Sequence, residues 1–265
     1  STSPEKIQEC RDVSTTIEYL IKNNKITKDI ITQRSIYNAI KVCCALGGST
    51  GTSDAITAHS NVAIGHVAMK LATTANNCVV IGRDAGDALT TGVKNVAIGS
   101  SALTTEDTGY WNTAVGFEAL KDLNYDGAGN NVAVGSYSAA NLTTGINSVA
   151  IGHLALGTHT TGDRNIAIGT NAMNDTDAGS NAQDSDDNIF IGYLAGGGAW
   201  ANNKSEFNVA IGNYVMDGAL NAANHNIALG YKALSATSYE GDYNIAIGSE
   251  AAAQMTDQTQ NIAIG

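Results

Sequence analysis

The residues that could do chemistry are few and scattered. Asp122-Leu123-Asn124-Tyr125-Asp126-Gly127 opens like a calcium loop, with oxygen-bearing side chains at alternate positions and a glycine for the sharp turn. Asp122, Asn124 and Asp126 are therefore the candidate ligands for Ca2+, although the loop's twelfth position is Ala133 where a bidentate Glu would close the site. Asp175, Asp177, Asp184, Asp186 and Asp187 crowd a second stretch, which reads equally as a solvated acidic loop. His66 and His153 each follow a glycine of one motif. Imidazoles repeated around a symmetry axis could hold a metal, while a solvated turn histidine is the plainer reading. No HExxH, nucleophile-elbow or phosphate-loop pattern occurs. Paired carboxylates would suit a glycan-cleaving enzyme, but the aromatic platforms of such a groove are scattered here. The expectation from these residues is a protein that is not an enzyme and needs no cofactor, calcium at the loop aside.

Composition narrows the partners. The chain has 265 residues, 14 basic and 25 acidic groups, a net charge of −11, 29 glycines and 6% aromatics. The low aromatic and high glycine content argues against an ordinary globular core. Without clustered Lys and Arg, nucleic acid and anionic membrane surfaces are poor partners. No apolar run approaches the ~20 residues of a membrane span. The opening STSPEKIQEC lacks the pattern of a secretory signal. Cys10, Cys43, Cys44 and Cys78 fit neither a zinc site nor a disulfide framework, and all four are read as reduced.

The elements that would position any site are set by a repeat. A motif close to N-[VI]-A-[IV]-G recurs twelve times, closing on Gly65, Gly82, Gly99, Gly116, Gly135, Gly152, Gly169, Gly192, Gly212, Gly230, Gly248 and Gly265. Six of the eleven intervals are 17 residues, and the others carry insertions. Three residues after most of these glycines stands another small residue, such as Ala102 or Ala155, and then often a Leu or Met. The motif is too short for a helix and places branched residues alternately, which predicts a strand. Its leading Asn suits a turn and can form a hydrogen-bonded ladder between stacked coils. Cys78 and Ser148 replace that Asn in two copies. Each coil thus reads strand, glycine turn, short apolar segment and polar loop. Coils stacked in register at about 4.8 Å make a rod on the order of 50 Å long.

Alternation puts Ala on one face of each strand and Val or Ile on the other. A narrow coil has room for Ala inside. The branched face then forms an outward apolar stripe: Val62, Ile64, Val96, Ile98, Val132, Val134, Ile166, Ile168, Val209, Ile211, Ile227, Leu229, Ile245 and Ile247. Such a stripe exceeds what a monomer normally exposes. Self-association about an axis parallel to the rod would cover it, so these residues are the predicted packing core of a homotrimer. The reverse facing, with the branched residues inside, would give a monomeric solenoid.

The NVAIG, NTAVG and NIAIG blocks followed by xxAL resemble the head repeats of trimeric autotransporter adhesins (YadA-like). They are also similar to NTAIG-xxAL arrays of phage and other viral tail fibres. The resemblance covers about Asn61 to Gly265. It implies a left-handed parallel β-roll, a trimer, and a structural shaft that contacts a host-surface receptor or glycan. A virion fibre is the expected setting, a bacterial cell-surface adhesin head the alternative, and a glycan-cleaving tailspike a minor one. Adhesin heads usually repeat nearer 14 residues, which favours the viral reading. The chain is expected to continue beyond Gly265.

Residues 1–46 lack the repeat. Ser3-Pro4-Glu5 is a helix start, and Cys10, Val13, Ile17 and Leu20 follow at coiled-coil-like spacing. The expected order is a helical attachment or capping segment over 1–46, a linker over 47–60 and the solenoid over 61–265. The first would join the chain to a larger particle. Trp200, in the insertion between Gly196 and Phe207, is the candidate contact residue, or else the anchor of its own loop.

Overall fold

The computed structural model describes residues 45–46, 58, 60–175, 184–201 and 203–265. The protein is mainly β, a parallel solenoid of about eleven turns. Thirteen strands form one parallel sheet, from Ala45–Leu46 and Val62–Ile64 through to Ile262–Ile264. Each motif copy supplies one strand in register with the next, as in Val149↔Ile166, Ala150↔Ala167 and Ile151↔Ile168. A second, two-stranded parallel sheet joins Ala219–Leu220 to Ser238–Tyr239. The helices expected over 1–46 lie outside the described residues, except that Ala45–Leu46 pairs with Ala63 and Ile64 as a strand.

The facing of the strands follows from volume. Ala97, Ala114, Ala133 and Ala167 are fully buried, whereas their branched neighbours are half-buried or exposed. The interior is completed by a second small row, Ala102, Ala119, Ala155 and Ala172, and by Leu103, Leu120, Leu156 and Met173. Where the inner strand position grows, the facing position shrinks. Val80 replaces Ala in one coil and Gly86 stands where others have Leu or Met. Phe190 does the same opposite Gly196, whose missing Cβ would lie 2.5 Å from the Phe190 ring. These pairs conserve the volume of a close-packed interior.

The coil is bent by backbone that L-residues resist. Ser101, Leu103, Glu118, Leu120, Leu154 and Leu156 all sit in the left-handed region. A third such corner precedes the motif Asn, at Lys94, Trp111 and Arg164. Each costs roughly 1–2 kcal/mol in isolation. The turn glycines are needed for a different reason. Gly116 has φ +145°, and a Cβ there would stand 2.2 Å from the Gly135 carbonyl oxygen of the following coil.

The buried asparagines form the expected ladder. Asn95 Oδ1 accepts the Asn112 N–H at 2.9 Å, while Asn95 Nδ2 donates to the Gly109 carbonyl at 2.8 Å. The pattern recurs through Asn165, Asn188, Asn208, Asn226 and Asn244. Ser148 keeps the ladder with its hydroxyl, which accepts the Asn165 N–H. Cys78 donates its N–H to Asn61 Oδ1, and its thiol faces the Asn76 and Gly92 carbonyls.

Gly116→Ala is expected to lower the unfolding free energy by ~3 kcal/mol or more, because backbone of the next coil must move. Ser101→Gly, at φ +57°, is expected to be neutral or to raise it by up to ~1 kcal/mol. Denaturant titration of the two variants checks both.

Candidate functional site

The candidate calcium loop is ordered by protein groups. The Asp122 and Asn124 amides donate to the Ala140 and Thr143 carbonyls. Asp126 Oδ1 accepts the Thr108 hydroxyl at 2.7 Å. Under the loop lies Glu106, fully buried, which sequence reasoning missed. Its carboxylate accepts the Gly109 N–H at 2.6 Å and the Tyr125 N–H at 3.2 Å. Burial pushes its pKa up, against the pull of those two N–H groups. Glu106 stands in an interior corner filled elsewhere by Leu89, Leu123 and Leu142. The signal was there in its spacing, 17 residues after Leu89 and 17 before Leu123, but a charged residue among leucines reads as loop.

His159 occupies the same corner one coil after Leu142. Its Nε2 lies 3.1 Å from Asn165 Nδ2. Complete burial lowers its pKa from 6.5 to about 4, so the ring is neutral at neutral pH. In the acidic stretch, Arg164 forms a bidentate pair with Asp187, at 2.6 and 2.9 Å, and reaches Asp163 and Asp186. The carboxylates also stitch coils: Asp163 Oδ1 accepts the Ile146 N–H, and Asp186 Oδ1 accepts the Asp163 N–H. Asp184 accepts the Thr161 hydroxyl. Asp177 lies outside the described residues. Among the described residues, no group of three or more His, Cys, Asp or Glu side chains could hold a metal ion.

Trp200 is fully buried, so in this chain it presents no contact surface. Its indole N–H donates to the Gly196 carbonyl at 2.9 Å, and its ring packs 5.6 Å from Phe190. The space left by Gly196 is the reason: a large inner Phe draws the loop's Trp onto itself. The branched residues, by contrast, lie where the alternation put them. Val62, Val134, Ile151, Ile211, Ile227 and Ile247 are 37–42% exposed along one face. Aromatic side chains border that face at positions just before the motif Asn and just past its glycine. Phe207, His225 and Tyr243 stack at 4.9 and 4.8 Å. Tyr193, Tyr214 and Tyr231 meet edge to face at 5.3 and 6.0 Å.

Comparison with known proteins points elsewhere than the repeats do. Residues 1–80 match the family model of the dihydroxy-acid/6-phosphogluconate dehydratase N-terminal domain. No curated protein and no solved structure matches the chain. The match covers under a third of the 265 residues. It nevertheless corrects the expectations drawn from the resemblance to adhesin heads and tail fibres. The matching family is a dehydratase family, and the shaft, adhesin, tailspike and receptor-contact readings go with the one it replaces. The expectation of a non-enzyme without a cofactor is corrected too, since members of that family are enzymes that typically use an Fe–S cluster or Mg2+. The physical reason for the error lies in the motif. Asn for the ladder, Ala for the interior and Gly for the close turn are what a stacked coil needs, and they report fold without function.

The described residues do not fit an Fe–S cluster. Their single cysteine, Cys78, is buried, bonded to carbonyl oxygens, and has its thiol pKa raised by desolvation. The other cysteines of the matched stretch, Cys10, Cys43 and Cys44, lie outside the described residues.

The buried imidazole has a measurable consequence. In the unfolded chain His159 takes a proton near pH 6.5, whereas the folded protein holds it neutral down to about 4. Its contribution to stability is therefore complete above pH 6.5 and is lost as pH falls through that window, at a cost of about 3 kcal/mol. Chemical denaturation at pH 7 and pH 4 should show the loss, and His159→Leu, matching Leu142 in the neighbouring coil, should reduce it.

Proposed function

We propose that this chain is a dehydratase-related protein in which the matched N-terminal stretch carries the chemistry and the solenoid assembles the chain into a homotrimer. The family model supports the reaction class: loss of water from adjacent hydroxyl-bearing carbons of a dihydroxy acid, giving a 2-oxo acid. The solenoid interior offers that reaction little. Glu106 and His159 are sealed inside, and Asp163 and Asp186 accept backbone N–H groups of neighbouring coils.

The observation that carries the assembly half of the reading is the branched face. It runs along twelve three-residue strands and remains 37–42% exposed at Val62, Val134, Ile151, Ile211, Ile227 and Ile247. With its borders it measures about 20 Å by about 50 Å. That exceeds the few hundred Å² of contiguous apolar surface that a monomer normally exposes. The first row of each strand can face one neighbour and the second row the other. Three is the smallest ring in which those neighbours differ.

Two measurements test the two halves. Full-length chain, reduced and supplied with ferrous iron, sulfide and Mg2+, should convert a 2,3-dihydroxy acid or 6-phosphogluconate to a 2-oxo acid, read as its phenylhydrazone. Inactivity of the loaded native chain would sink the catalytic half. Light scattering should give about three times 27.2 kDa. Ile168→Asp should shift the mass to one chain while Lys121→Ala leaves it unchanged. A native mass of 27.2 kDa would reject the trimer.

A further inference from the structure

Among the described residues, tyrosine rings touch one another at one place, the border just past the strands. Tyr193 and Tyr214 meet edge to face with centroids 5.3 Å apart, and Tyr214 meets Tyr231 at 6.0 Å. The three stand one or two residues past Gly192, Gly212 and Gly230, in consecutive coils. Stacking at about 4.8 Å per coil brings them together, and backbone bonds hold them there. The Tyr214 N–H donates to the Tyr193 carbonyl at 2.9 Å, and the Tyr193 N–H donates to Asn213 Oδ1 at 3.0 Å. Solvent reaches the row, since Tyr193 and Tyr231 are 43% and 44% exposed. The other described tyrosines make no contact with a tyrosine ring. Tyr137 lies against Phe117 and His153, Tyr243 against His225, and Tyr110 against Trp111. Tyr239 is buried, its hydroxyl bonded to Asn226 and Asn244. The row also spans a long coil, for the interval from Gly192 to Gly212 carries the insertion that holds Trp200. A covalent tie there constrains a longer stretch of unfolded chain than in a 17-residue coil.

We propose that Tyr193, Tyr214 and Tyr231 are an oxidative cross-linking site, at which hydrogen peroxide, acting through a haem peroxidase, joins tyrosines of adjacent coils as dityrosine and so staples the rod. Each of two phenols gives one electron and its hydroxyl proton to the oxidant, which leaves two phenoxyl radicals. The radicals couple through ring carbons ortho to the oxygens, forming one C–C bond. Each of those carbons then passes its hydrogen to its own phenol oxygen, and both rings are aromatic again. The two electrons and two protons given up reduce one peroxide to two waters. Tyr214, between the other two, forms the bond with one or the other. Neighbours held in place spare the radicals a diffusive encounter, so coupling concentrates here. The site is built within one chain and depends on neither the dehydratase reading nor the homotrimer.

The test treats the full chain with a haem peroxidase and hydrogen peroxide. Dityrosine fluorescence is expected in a product that runs as a single 27.2 kDa chain on a denaturing gel. Mass spectrometry of its peptides is expected to join Tyr214 to Tyr193 or Tyr231. Tyr214→Phe keeps the ring and removes the phenol, and is expected to abolish that product, whereas Tyr243→Phe leaves it. The linked chain is expected to unfold at a higher denaturant concentration than the untreated one. Absence of dityrosine in the native chain would overturn the site. So would dityrosine that joins separate chains only, or that persists within single chains of Tyr214→Phe. An unchanged unfolding midpoint of the linked chain would overturn the staple.

Discussion

The close passage of one turn glycine over the next is the constraint on which the rest of this structure depends. The carbonyl oxygen of each glycine occupies the space where a Cβ on its predecessor would lie, 2.1–2.6 Å away from Gly65 through Gly230. Because no Cβ fills that space, consecutive turns come close enough for backbone bonds to join them, as Gly116 N–H donates to the Ile98 carbonyl at 2.7 Å and Gly135 N–H to that of Val115 at 2.8 Å. The constraint also explains why a coil cannot exist alone. Several of its non-glycine residues are held in left-handed conformation, and its interior is a few small side chains. Only neighbours on both sides return that cost, through strand pairing and the amide ladder. Stability in such a fold is local along the chain and shared between adjacent coils.

Much of this could be read from the residues. Twelve glycines at near-constant spacing, alternation of branched residues with Ala, and the repeated Asn sufficed for strand, turn, ladder and inward face. What escaped the sequence follows from the third dimension. The left-handed corners at Leu103, Leu120 and Leu156 carry no glycine or asparagine signal, because packing of the leucine side chains inside overrides local preference. Glu106 and His159 looked like loop residues, yet the corner they fill is as buried as that of Leu142. Trp200 was legible as either a contact residue or the anchor of its loop. Its burial depends on Phe190 and Gly196, an exchange of volume visible only once both are seen to face each other.

The functional outcome separates two kinds of sequence information. The repeat specified an architecture so strongly that it suggested a way of life along with it. Each motif position, however, is explained by what a stacked coil requires, so the motif is free to recur wherever that coil is used. The dehydratase match falls on residues 1–80, most of which precede the repeat. The solenoid's polar groups are employed in joining coils: Arg164 with Asp187, and Asp163 and Asp186 with backbone amides. The family match and the repeat architecture thus fall largely on different parts of the chain.

The amide ladder gives the rod a head and a tail in an electrical sense. Asn188, Asn208, Asn226, Asn244 and Asn261 each direct a side-chain N–H back to the Oδ1 of the preceding ladder residue. Their dipoles therefore point one way and polarise one another along a water-free line. Ser148 and Cys78, lacking the amide, divide that line into separate conductors of polarisation. The longest uninterrupted run, from Asn165 to Asn261, therefore sums six side-chain amides of one orientation, so the two ends of the stack differ in polarity.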